Sequence, residues 1–531
     1  MKKSILLIIL ALAIISSMLI SGCSEETTSV TTAGATTTAV KTTTTAATPQ
    51  TGGWLKMIYA DGPGNLGAPG ISVAPGDCRS MVPCIENLVR IGVDGLPAPA
   101  LATSWEYNAD FTALTFHLRK GVKFHDGTNF DAAAAKFCLD IGKTNKRRDM
   151  GTITSIDVVD DYTLRLSITG YDASLLPSFA FGNSAHIMSP TAYQKNGKEW
   201  AQNHPVGTGP FKFVSFQRDV SVKYERFDDY WGGKAYLDGI ELLIIADPTM
   251  AMLSFKSGDA NVIYDLEGNE AAELKSAGKY TITTTPEDVY ALLPDSMNAD
   301  SPYNKLKVRQ AVQYALDLQT IADTGKGYNV VCNQLFGSWN WAHNKDIVGY
   351  PYNSTKAKQL LKEAGYENGF DTTIYYTIGV SPEDVFLIAQ KNLADMGIKA
   401  KIEPITSAAM SQLTAGGWKN GLVVSQIPGG LGADPPAQLV SRNSVKSTIV
   451  KGVFYPDEYE QLLVKTNAEA DNAKRKTMAQ QLSKIAIDDY CVNMPLYTTL
   501  APHALYPNVK GGNLGTVWAA QYDPWSIWIS K

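Results

Sequence analysis

The chain has 531 residues, which is more than one hydrophobic core usually supports, so two or three domains are expected. Its 47 basic and 52 acidic residues give a net charge of -5, which excludes the electrostatic footprint of a nucleic-acid-binding protein. The 10 Trp and 25 Tyr predict that some aromatic rings are exposed or line a cleft, because both side chains carry a polar tip that needs a partner.

Residues 1–23 have the pattern of a cleaved export signal. Lys2 and Lys3 precede an apolar run that is shorter than the roughly 18 to 20 residues needed to span a bilayer, and the run ends in LISGC. This ending resembles the lipobox of bacterial lipoproteins, whose cysteine is diacylated and becomes the new N-terminus, and here that residue is Cys23. The predicted location is therefore extracytoplasmic, with a lipid anchor in the cell membrane; an uncleaved anchor helix or plain secretion are the alternatives.

Residues 24–53 are dominated by Thr and Ala and have no apolar period. Such a segment cannot bury enough surface to offset its ordering entropy, so it is predicted to be a flexible tether. Globular sequence begins near Trp54.

Five cysteines follow Cys23, and an odd number in an exported protein leaves at least one free thiol or an intermolecular bond. Cys78 and Cys84, in GDCRSMVPC, lie close enough in the sequence to form a disulfide. There is no C-x-x-C or H-E-x-x-H, and the six histidines are scattered, so we predict neither a metal site nor a cofactor.

The stretch 115–128, TFHLRKGVKFHDGT, brings together side chains that are common in active sites. Its pattern instead predicts a β-hairpin, because apolar residues alternate with polar ones on both sides of a Lys120-Gly121 turn. The apolar positions are Phe116, Leu118, Val122 and Phe124. His117 and Arg119 then belong to the polar face, so we do not expect catalysis.

Further elements follow in chain order. Asp131 is predicted to cap a helix, and ITSIDVVDDYTLRLSI is predicted to form a second hairpin that turns at Asp160-Asp161. Residues 211–216 and 220–224 form the next strand pair. The preceding Gly-Thr-Gly is followed by a strand and GPGNLG is followed by APG, so neither glycine motif has the helix that a phosphate site requires.

The C-terminal half is predicted to be α/β. NKLKVRQAVQYALDLQTIAD has helical spacing, and Ser354 is predicted to cap TKAKQLLKEA. The strand TTIYYTI, a helix from Pro382 to Met396 capped by Ser381, and the strand IKAKIEPI form a β-α-β unit with a parallel strand pair. Two more helices and strand pieces such as VNMPLYTT end the chain.

Several motifs carry a family resemblance. They are PALATSWEYNADFTALTFHLRKGVKFHDGT, VVDDYTLRLSI, VGTGPFKF, DDYWGGKAYLDGIEL, LKVRQAVQYALD and STKAKQLLKEAGY. In this order they resemble the peptide and nickel class of extracytoplasmic solute-binding proteins, family 5, of ABC importers. The resemblance implies a receptor and not an enzyme, and no G-x-S-x-G motif occurs in the chain.

The resemblance also implies a mixed α/β (α+β) fold with three domains and two lobes that close like a hinge, as in class II periplasmic binding proteins. The first domain is discontinuous. The predicted boundaries are 54–95, 200–290 and 491–531 for lobe 1 (domain I), 96–199 for domain II, and 291–490 for lobe 2 (domain III). The implied partners are a solute and an ABC permease with separate ATPase subunits, and the protein is expected to be a monomer.

In peptide binders of this family, an acid three residues before an Asp-Pro pair holds the peptide's amine. An ungapped count back from Asp434-Pro435 places Leu431 at the acid's position and Pro428 at that of a tryptophan, so the usual amine partner is missing. A buried ammonium without a carboxylate is costly, so another acid, such as Asp434, would be needed. Asp434 also suits a turn before proline.

The other candidate ligand contacts are mostly aromatic: Trp339, Trp341, Trp418, Asn420, Tyr375 and Tyr376. Trp339 and Trp341 would share a face if their segment is extended, and one of the two adjacent tyrosines must point inward from its strand. Core packing is the alternative for the tryptophans. The predicted solute is an oligopeptide or dipeptide. The alternatives are a sugar or another polar solute, a receptor for a membrane sensor, and, with less support, an exported hydrolase.

Overall fold

The fold consists of a large mixed sheet, a smaller antiparallel sheet and the helices that cover them. The structure is a computed structural model and describes residues 48–71, 75–92, 94–147, 150–181, 186–380, 382–427, 434–515 and 522–531. The strands are β1 Trp54–Tyr59, β2 Val89–Ile91, β3 Pro97–Pro99, β4 Ala102–Tyr107, β5 Ala113–Leu118, β6 Ile153–Asp160, β7 Thr163–Ile168, β8 Phe211–Gln217, β9 Ser221–Arg226, β10 Gly239–Ile244, β11 Val262–Ile263, β12 Thr281–Pro294, β13 Asn329–Val331, β14 Asp371–Thr377, β15 Lys399–Ile405, β16 Gly421–Ile427, β17 Met494–Leu505, β18 Val509–Lys510 and β19 Trp528–Ile529.

The helices cover both sheets and alternate with the strands of the C-terminal half. They are α1 Pro75–Met81, α2 Ala132–Thr144, α3 Leu175–Phe181, α4 Pro190–Asn196, α5 Lys198–Ala201, α6 Pro248–Ser257, α7 Gly268–Ser276, α8 Leu306–Ala315, α9 Leu318–Asp323, α10 Ser354–Glu363, α11 Glu383–Ala394, α12 Ser407–Gly416, α13 Pro435–Arg442, α14 Asp457–Ala468 and α15 Asn472–Lys484. Among the described residues, no helix is long and apolar enough to cross a membrane.

The large sheet joins two groups of strands through two long strands. Its order is β15-β14-β16-β12-β17-β11-β1-β10-β9-β8, and β13 also pairs with β17. We call β11-β1-β10-β9-β8 the first strand group and β15-β14-β16 the second strand group. The parallel pairs lie inside these groups: β1 with β10 and β11, and β14 with β15 and β16.

We call β12 and β17 the crossing strands, because they pair with each other and connect the two groups: β17 pairs with β11 of the first group and β12 with β16 of the second. At one end Thr281 pairs with Leu505, which also pairs with Val262 of β11. At the other end Leu292 pairs with Met494, and β12 there also pairs with β16. The predicted boundaries at 290/291 and 490/491 fall within or beside these strands, but the division into three domains stays a prediction.

The two crossing strands change register twice. Between Pro286 and Val289, β12 contains one residue more than β17, so Glu287 and Asp288 lie in a β-bulge. Directly after Tyr290 the extra residue is on β17, and the original register returns. The bulge therefore interrupts the ladder midway between the two strand groups.

The smaller sheet has the strand order β4-β5-β7-β6. One of the two predicted hairpins is present in it and the other is not. Phe116 points into its core, and the predicted hairpin of β6 and β7 is confirmed. The predicted strand after Lys120-Gly121 does not form, because β5 takes β4 and β7 as its partners. Val122 and Phe124 are nevertheless buried, on either side of Lys123, which forms an isolated β-bridge with Asn129.

Helix starts agree with the predicted positions within a few residues. Asp131 accepts a hydrogen bond from the Ala134 backbone N–H at 2.8 Å, as predicted. Asn353, and not Ser354, caps α10, because its side chain accepts from the Lys356 N–H at 2.9 Å. Ser381 lies outside the described residues.

The parallel pair of β14 and β15 around α11 confirms the predicted β-α-β unit. The helices α14 and α15 and the strand pair β8–β9 are also confirmed. The stretch NKLKVRQAVQYALDLQTIAD forms two helices, since Asp317 interrupts it and caps α9 by accepting from the Thr320 N–H.

Candidate ligand site at the crossing strands

The motifs that carry the family resemblance converge on Glu86. Its carboxylate accepts hydrogen bonds from Trp231 Nε1 and Thr208 Oγ1, both at 2.8 Å, and from Tyr230 Oη at 3.0 Å. The guanidinium of Arg119 lies 4.0 Å from the centre of the Trp231 ring. Burial raises the pKa of Glu86, while its three donors and Arg119 lower it. Arg119 and Thr208 therefore have structural roles in joining distant segments.

His125, from the same sequence motif as Arg119, is also structural. Its Nε2 lies 2.9 Å from the Gly209 carbonyl oxygen, to which it donates, and its backbone N–H donates to the Gly207 oxygen. Burial lowers the pKa of His125 to about 4, so the ring is neutral near pH 7. A Cβ atom on Gly207 would lie 2.0 Å from the Cys84 carbonyl oxygen. The Gly-Thr-Gly loop thus permits a close backbone contact and does not hold a phosphate.

The predicted disulfide between Cys78 and Cys84 is wrong. Both are free thiols, and Cys84 Sγ lies 3.6 Å from the Pro205 carbonyl oxygen and 3.7 Å from His125 Nδ1. Burial raises the pKa of Cys84 to about 12, so it is unreactive. Cys78 lies within α1, whereas Cys84 follows the end of this helix and points into the glycine loop.

A second polar cluster lies where β1 and β11 end. Arg79 of α1 pairs with Asp265 at 2.5 Å and with Asp61 at 3.2 Å. Its guanidinium is 5.7 Å from the centre of the Tyr59 ring, and that ring stacks on Tyr264 at 4.8 Å. These side chains lie at the carboxyl ends of two parallel strands, where open α/β sheets commonly bind ligands.

His503 ties this cluster to the crossing strands. Its Nδ1 accepts from the Asp265 backbone N–H at 3.1 Å, so Nε2 carries the proton and donates to Thr285 Oγ1 at 3.0 Å. Burial, and then the charge of Arg79, lower the pKa of His503 to about 3. The ring is therefore neutral and supplies no positive charge.

Glu287 of the bulge interacts electrostatically with Asp265 and Arg79 of the same cluster. Burial, and then the charges of Asp265 and Asp288, raise its pKa against the opposing effect of Arg79, from 4.5 to about 7. Within the described part of the chain, no residue donates a hydrogen bond to its carboxylate or forms an ion pair with it. Glu287 is half-buried, so it combines partial loss of water with the lack of a protein partner.

The crossing strands carry two aromatic rings beyond the bulge, beside β16 of the second strand group. Tyr290 and Tyr497 stack at 5.0 Å, and Gln426 Nε2 donates to Tyr290 Oη at 2.8 Å. Burial and then the charge of Glu287 raise the pKa of Tyr290 to about 12. We call Tyr59, Arg79, Asp265, Glu287 and Tyr290 the crossing site. It offers carboxylates, hydroxyl donors and ring faces between the two strand groups.

The structure places Trp418 and Asn420 away from the crossing site. Trp418 is 4% exposed, and its Nε1 donates to the Gly421 oxygen at 3.1 Å, which is core packing. Asn420 Nδ2 donates to the Asp371 oxygen. It borders an open depression of about 550 Å³ at the amino ends of β14 and β15, together with Lys399 and Lys401. Tyr290 of the crossing site instead lies near the other end of β14, where its Oη donates to the Val380 carbonyl oxygen at 3.4 Å.

The remaining aromatic candidates are separated from one another. Tyr376 is buried against Phe386 at 4.8 Å, and Tyr375 lies half-buried on the other face of β14. The segment of Trp339 and Trp341 forms turns and is not an extended strand, so strand alternation does not place their two rings on one face. Trp341 packs against the hydrophobic core that contains the buried side chains of β14 and β16. The centre of its ring lies 5.3 Å from the Arg475 guanidinium.

Asp434 is occupied by other protein groups. It forms a two-pronged ion pair with Arg475, and it caps α13 by accepting from the Ala437 N–H at 3.0 Å. Both partners of the pair have side chains only 6% exposed. Asp434 is therefore not free to hold a ligand amine. Leu431 and Pro428 lie outside the described residues, as does Cys23.

Sequence reasoning missed the crossing site because its members come from four separate segments. One local signal exists: in TITTTPEDVYALLP, Pro286 and two acids interrupt a run of strand-forming residues, and such an interruption favours a bulge. Arg79 carries no comparable signal. No group of three or more His, Cys, Asp or Glu residues suited to a metal ion occurs among the described residues.

Comparison with known proteins places this geometry in a family. A profile described as bacterial extracellular solute-binding proteins, family 5 Middle, matches residues 97–446. Heme-binding protein A of Haemophilus influenzae is 29% identical over 457 residues, which are 78% of this chain and 81% of that protein. Glutathione-binding protein GsiB of Pectobacterium atrosepticum is 32% identical over 311 residues, which are 57% of this chain and 60% of that protein.

A solved structure has the same fold along most of the chain. The periplasmic binding protein DppA of Helicobacter pylori, in complex with the peptide STSA, has a TM-score of 0.72 and 26% identity, and the match covers 91% of this chain and 99% of that one. The predicted family, the predicted two-lobed class II fold and the predicted absence of enzymatic activity are confirmed by these relatives. The chain belongs to the bacterial extracellular solute-binding proteins of family 5, the extracytoplasmic receptors of ABC importers.

Proposed function

We propose that this receptor captures a peptide-like solute between its two lobes and delivers it to an ABC permease served by separate ATPase subunits. The observation that carries the proposal is the likeness to the Helicobacter pylori protein, which was solved with the peptide STSA and matches nearly the whole chain. The crossing site supports it, because carboxylates, hydroxyl groups and tyrosine rings between two lobes suit a polar ligand with apolar parts.

We also propose that Cys23 carries a lipid anchor and that residues 24–53 are the tether. A captured solute must reach a permease in the membrane, and an anchored receptor stays close to it. Cells that express the protein and are fed an alkyne-labelled fatty acid should label the wild type, and Cys23→Ser should abolish the label. A Cys78→Ser variant is the control, because that thiol lies in the folded part. Labelling that survives in Cys23→Ser would exclude this anchor.

The solute class is tested by a thermal-shift screen of the purified protein without its first 23 residues. A ligand present at 100 times its Kd stabilises the folded state by about 2.7 kcal/mol, which produces a measurable rise in Tm. We expect dipeptides to pentapeptides to raise Tm. Because Leu431 stands where an acid is expected, a sugar is the second candidate. A shift with oligosaccharides but with no peptide would reject the peptide proposal.

Import and signalling are distinguished in cells. Uptake of a radiolabelled peptide found in the screen should depend on this receptor if it serves a permease. Normal uptake in a strain that lacks the receptor, together with a lost transcriptional response to the peptide, would instead indicate a receptor for a membrane sensor.

A further inference from the structure

We propose that turn 171–174, between β7 and α3, is a latch that docks on the end of α14 when the two lobes close. The inference rests on the proposed function, in which the lobes open and close around a solute. It adds a contact outside the crossing site, between the part of the chain that carries the smaller sheet and the helices α13–α15. The contact is made by backbone atoms and involves no group of the ligand, so it can serve a solute of any class.

The contact is one hydrogen bond between two segments that are distant in the sequence. The backbone N–H of Ala173 donates to the carbonyl oxygen of Asn467 at 3.2 Å. Asn467 lies in the last turn of α14, where carbonyl groups have no partner within the helix. The neighbouring carbonyl, of Thr466, accepts instead from Arg475 Nε at 3.0 Å. Turn 171–174 therefore supplies a donor that the end of α14 lacks, and Ala173 is only 7% exposed there.

The turn keeps its shape without help from α14. The Asp172 carboxylate accepts from the Ser174 backbone N–H at 2.9 Å and from the Ser174 hydroxyl group at 2.6 Å. The Leu175 N–H donates to the Asp172 carbonyl oxygen at 3.1 Å, which closes the turn. These bonds leave the N–H of Ala173 to the acceptor on α14.

Aromatic packing attaches the turn to the smaller sheet. The centre of the Tyr171 ring lies 5.2 Å from that of Tyr107 in β4 and 5.3 Å from that of Phe111 in the β4–β5 connection. Aromatic pairs at these distances stabilise each other. We therefore expect the latch to move with the smaller sheet when the lobes separate.

The acceptor is held just as firmly on its own side. Asn467 Nδ2 donates to the Leu463 carbonyl oxygen at 2.9 Å and to the Pro436 oxygen at 3.4 Å. It thereby joins α14 to the first turn of α13, whose cap Asp434 is paired with Arg475 of α15. The donor and the acceptor each belong to a preformed unit, so the contact forms without reordering either side.

The strength of the contact suits a latch that must also release. When the lobes separate, water can satisfy both backbone groups, because one lies in a turn and the other at a helix end. A neutral hydrogen bond of this kind changes an equilibrium by roughly 2- to 10-fold. The latch therefore favours the closed form and still allows it to open.

A reversible disulfide tests whether the contact breaks when the protein opens. In the mature protein, Ala173→Cys and Asn467→Cys place two thiols where the hydrogen bond brings the backbones within reach of a disulfide. Cys78→Ser is added, because the other native thiols of the folded part are buried. We expect the disulfide to form without solute. By small-angle X-ray scattering, the oxidised protein should have a smaller radius of gyration than the reduced protein. Failure to form the disulfide would overturn the inference, and so would equal radii, because the contact would then be permanent.

A proline tests the hydrogen bond itself. Ala173→Pro removes the donor at the second position of a turn, which proline suits, so the turn should persist. Ala299→Pro is the matched control: Asn298 accepts from the N–H groups of Asp300 and Ser301 in the same kind of turn, and Ala299 is exposed. By calorimetric titration, Ala173→Pro should weaken trialanine binding about 5-fold, because the closed form loses one hydrogen bond, and Ala299→Pro should change Kd less than about 2-fold.

The outcomes separate the latch from the proposed function. Equal Kd values for Ala173→Pro and the wild type would overturn the latch and leave the peptide function intact. If the wild type does not bind trialanine, that result counts against the peptide function, and the scattering comparison alone decides the latch. A Tm of Ala173→Pro at or above that of the wild type shows that the variant is folded.

Discussion

Two glutamates of this protein illustrate how neighbours decide a residue's role. Glu86 and Glu287 are both partly removed from water, and burial raises the pKa of each. Glu86 receives three hydrogen bonds at 2.8 to 3.0 Å, so its charge is satisfied inside the protein and it holds segments together. The carboxylate of Glu287 receives none from the described residues. A carboxylate that is partly removed from water and has no hydrogen-bond donor destabilises the folded protein. Its presence here is explained if it binds a ligand.

The destabilisation caused by Glu287 can be measured from the pH dependence of the free energy of unfolding. Its pKa is about 7 in the folded protein and 4.5 ordinarily, so the folded state holds the proton more tightly. Deprotonation of Glu287 therefore lowers the free energy of unfolding as the pH rises from 4.5 to 7. Above pH 7 this destabilisation is complete and no longer changes with pH. Glutamine has no charge to lose, so Glu287→Gln should be more stable than the wild type at pH 8 by about 2 kcal/mol, after allowance for its partial exposure.

Urea unfolding followed by tryptophan fluorescence at pH 5 and pH 8 measures this difference, in the absence of ligand. The gain at pH 8 should shrink at pH 5. An equal effect at both pH values would mean that the ionisation of Glu287 is not the cause, and a loss of stability at pH 8 would mean that its carboxylate has a protein partner.

At the level of elements, the Gly-Thr-Gly loop shows what a local pattern can and cannot predict. The strand that follows the loop, β8, was correctly predicted from the alternation of its residues. The reason for the glycines was not predictable, because the atoms that they approach belong to Pro83 and Cys84, more than a hundred positions earlier in the chain. Contacts of this kind depend on the tertiary fold, and no period or spacing reports them.

Gly207→Ala tests the close contact directly. The new Cβ would lie 2.0 Å from the Cys84 carbonyl oxygen, which is backbone and cannot move aside easily. We expect a loss of about 3 kcal/mol in the free energy of unfolding, at the upper end of the usual cost of overpacking. Gly416→Ala is the matched control, since Gly416 ends α12 with no atom within 4 Å of the added Cβ and should be neutral or slightly stabilised. A Gly207→Ala protein as stable as the control would show that the loop can shift.

For the whole molecule, sequence patterns predicted most elements and their types but not the ligand site. Period and capping residues identified α2, the β6–β7 hairpin and the β14-α11-β15 unit, because these signals are local. The tryptophans were ambiguous, since a Trp side chain packs in a core as readily as it lines a cleft, and Trp418 proved to be core. The crossing site joins β1, α1, β11 and β12, and only the order of the strands in the large sheet brings them together.

The paired register shifts of the crossing strands also restrict how the length of this protein can change. The extra residue of β12 beside Pro286 is cancelled by an extra residue of β17 after Tyr290, so the pairing on both sides of the interruption is the same. A single deletion in the bulge would leave the second shift uncancelled, and one strand group would have to slip by one residue, which turns its buried side chains to the opposite face. Gaps in related sequences should therefore be absent from these two strands, or occur once in each. The bulge is a fixed insertion whose counterpart lies on the neighbouring strand, some 200 positions later in the chain.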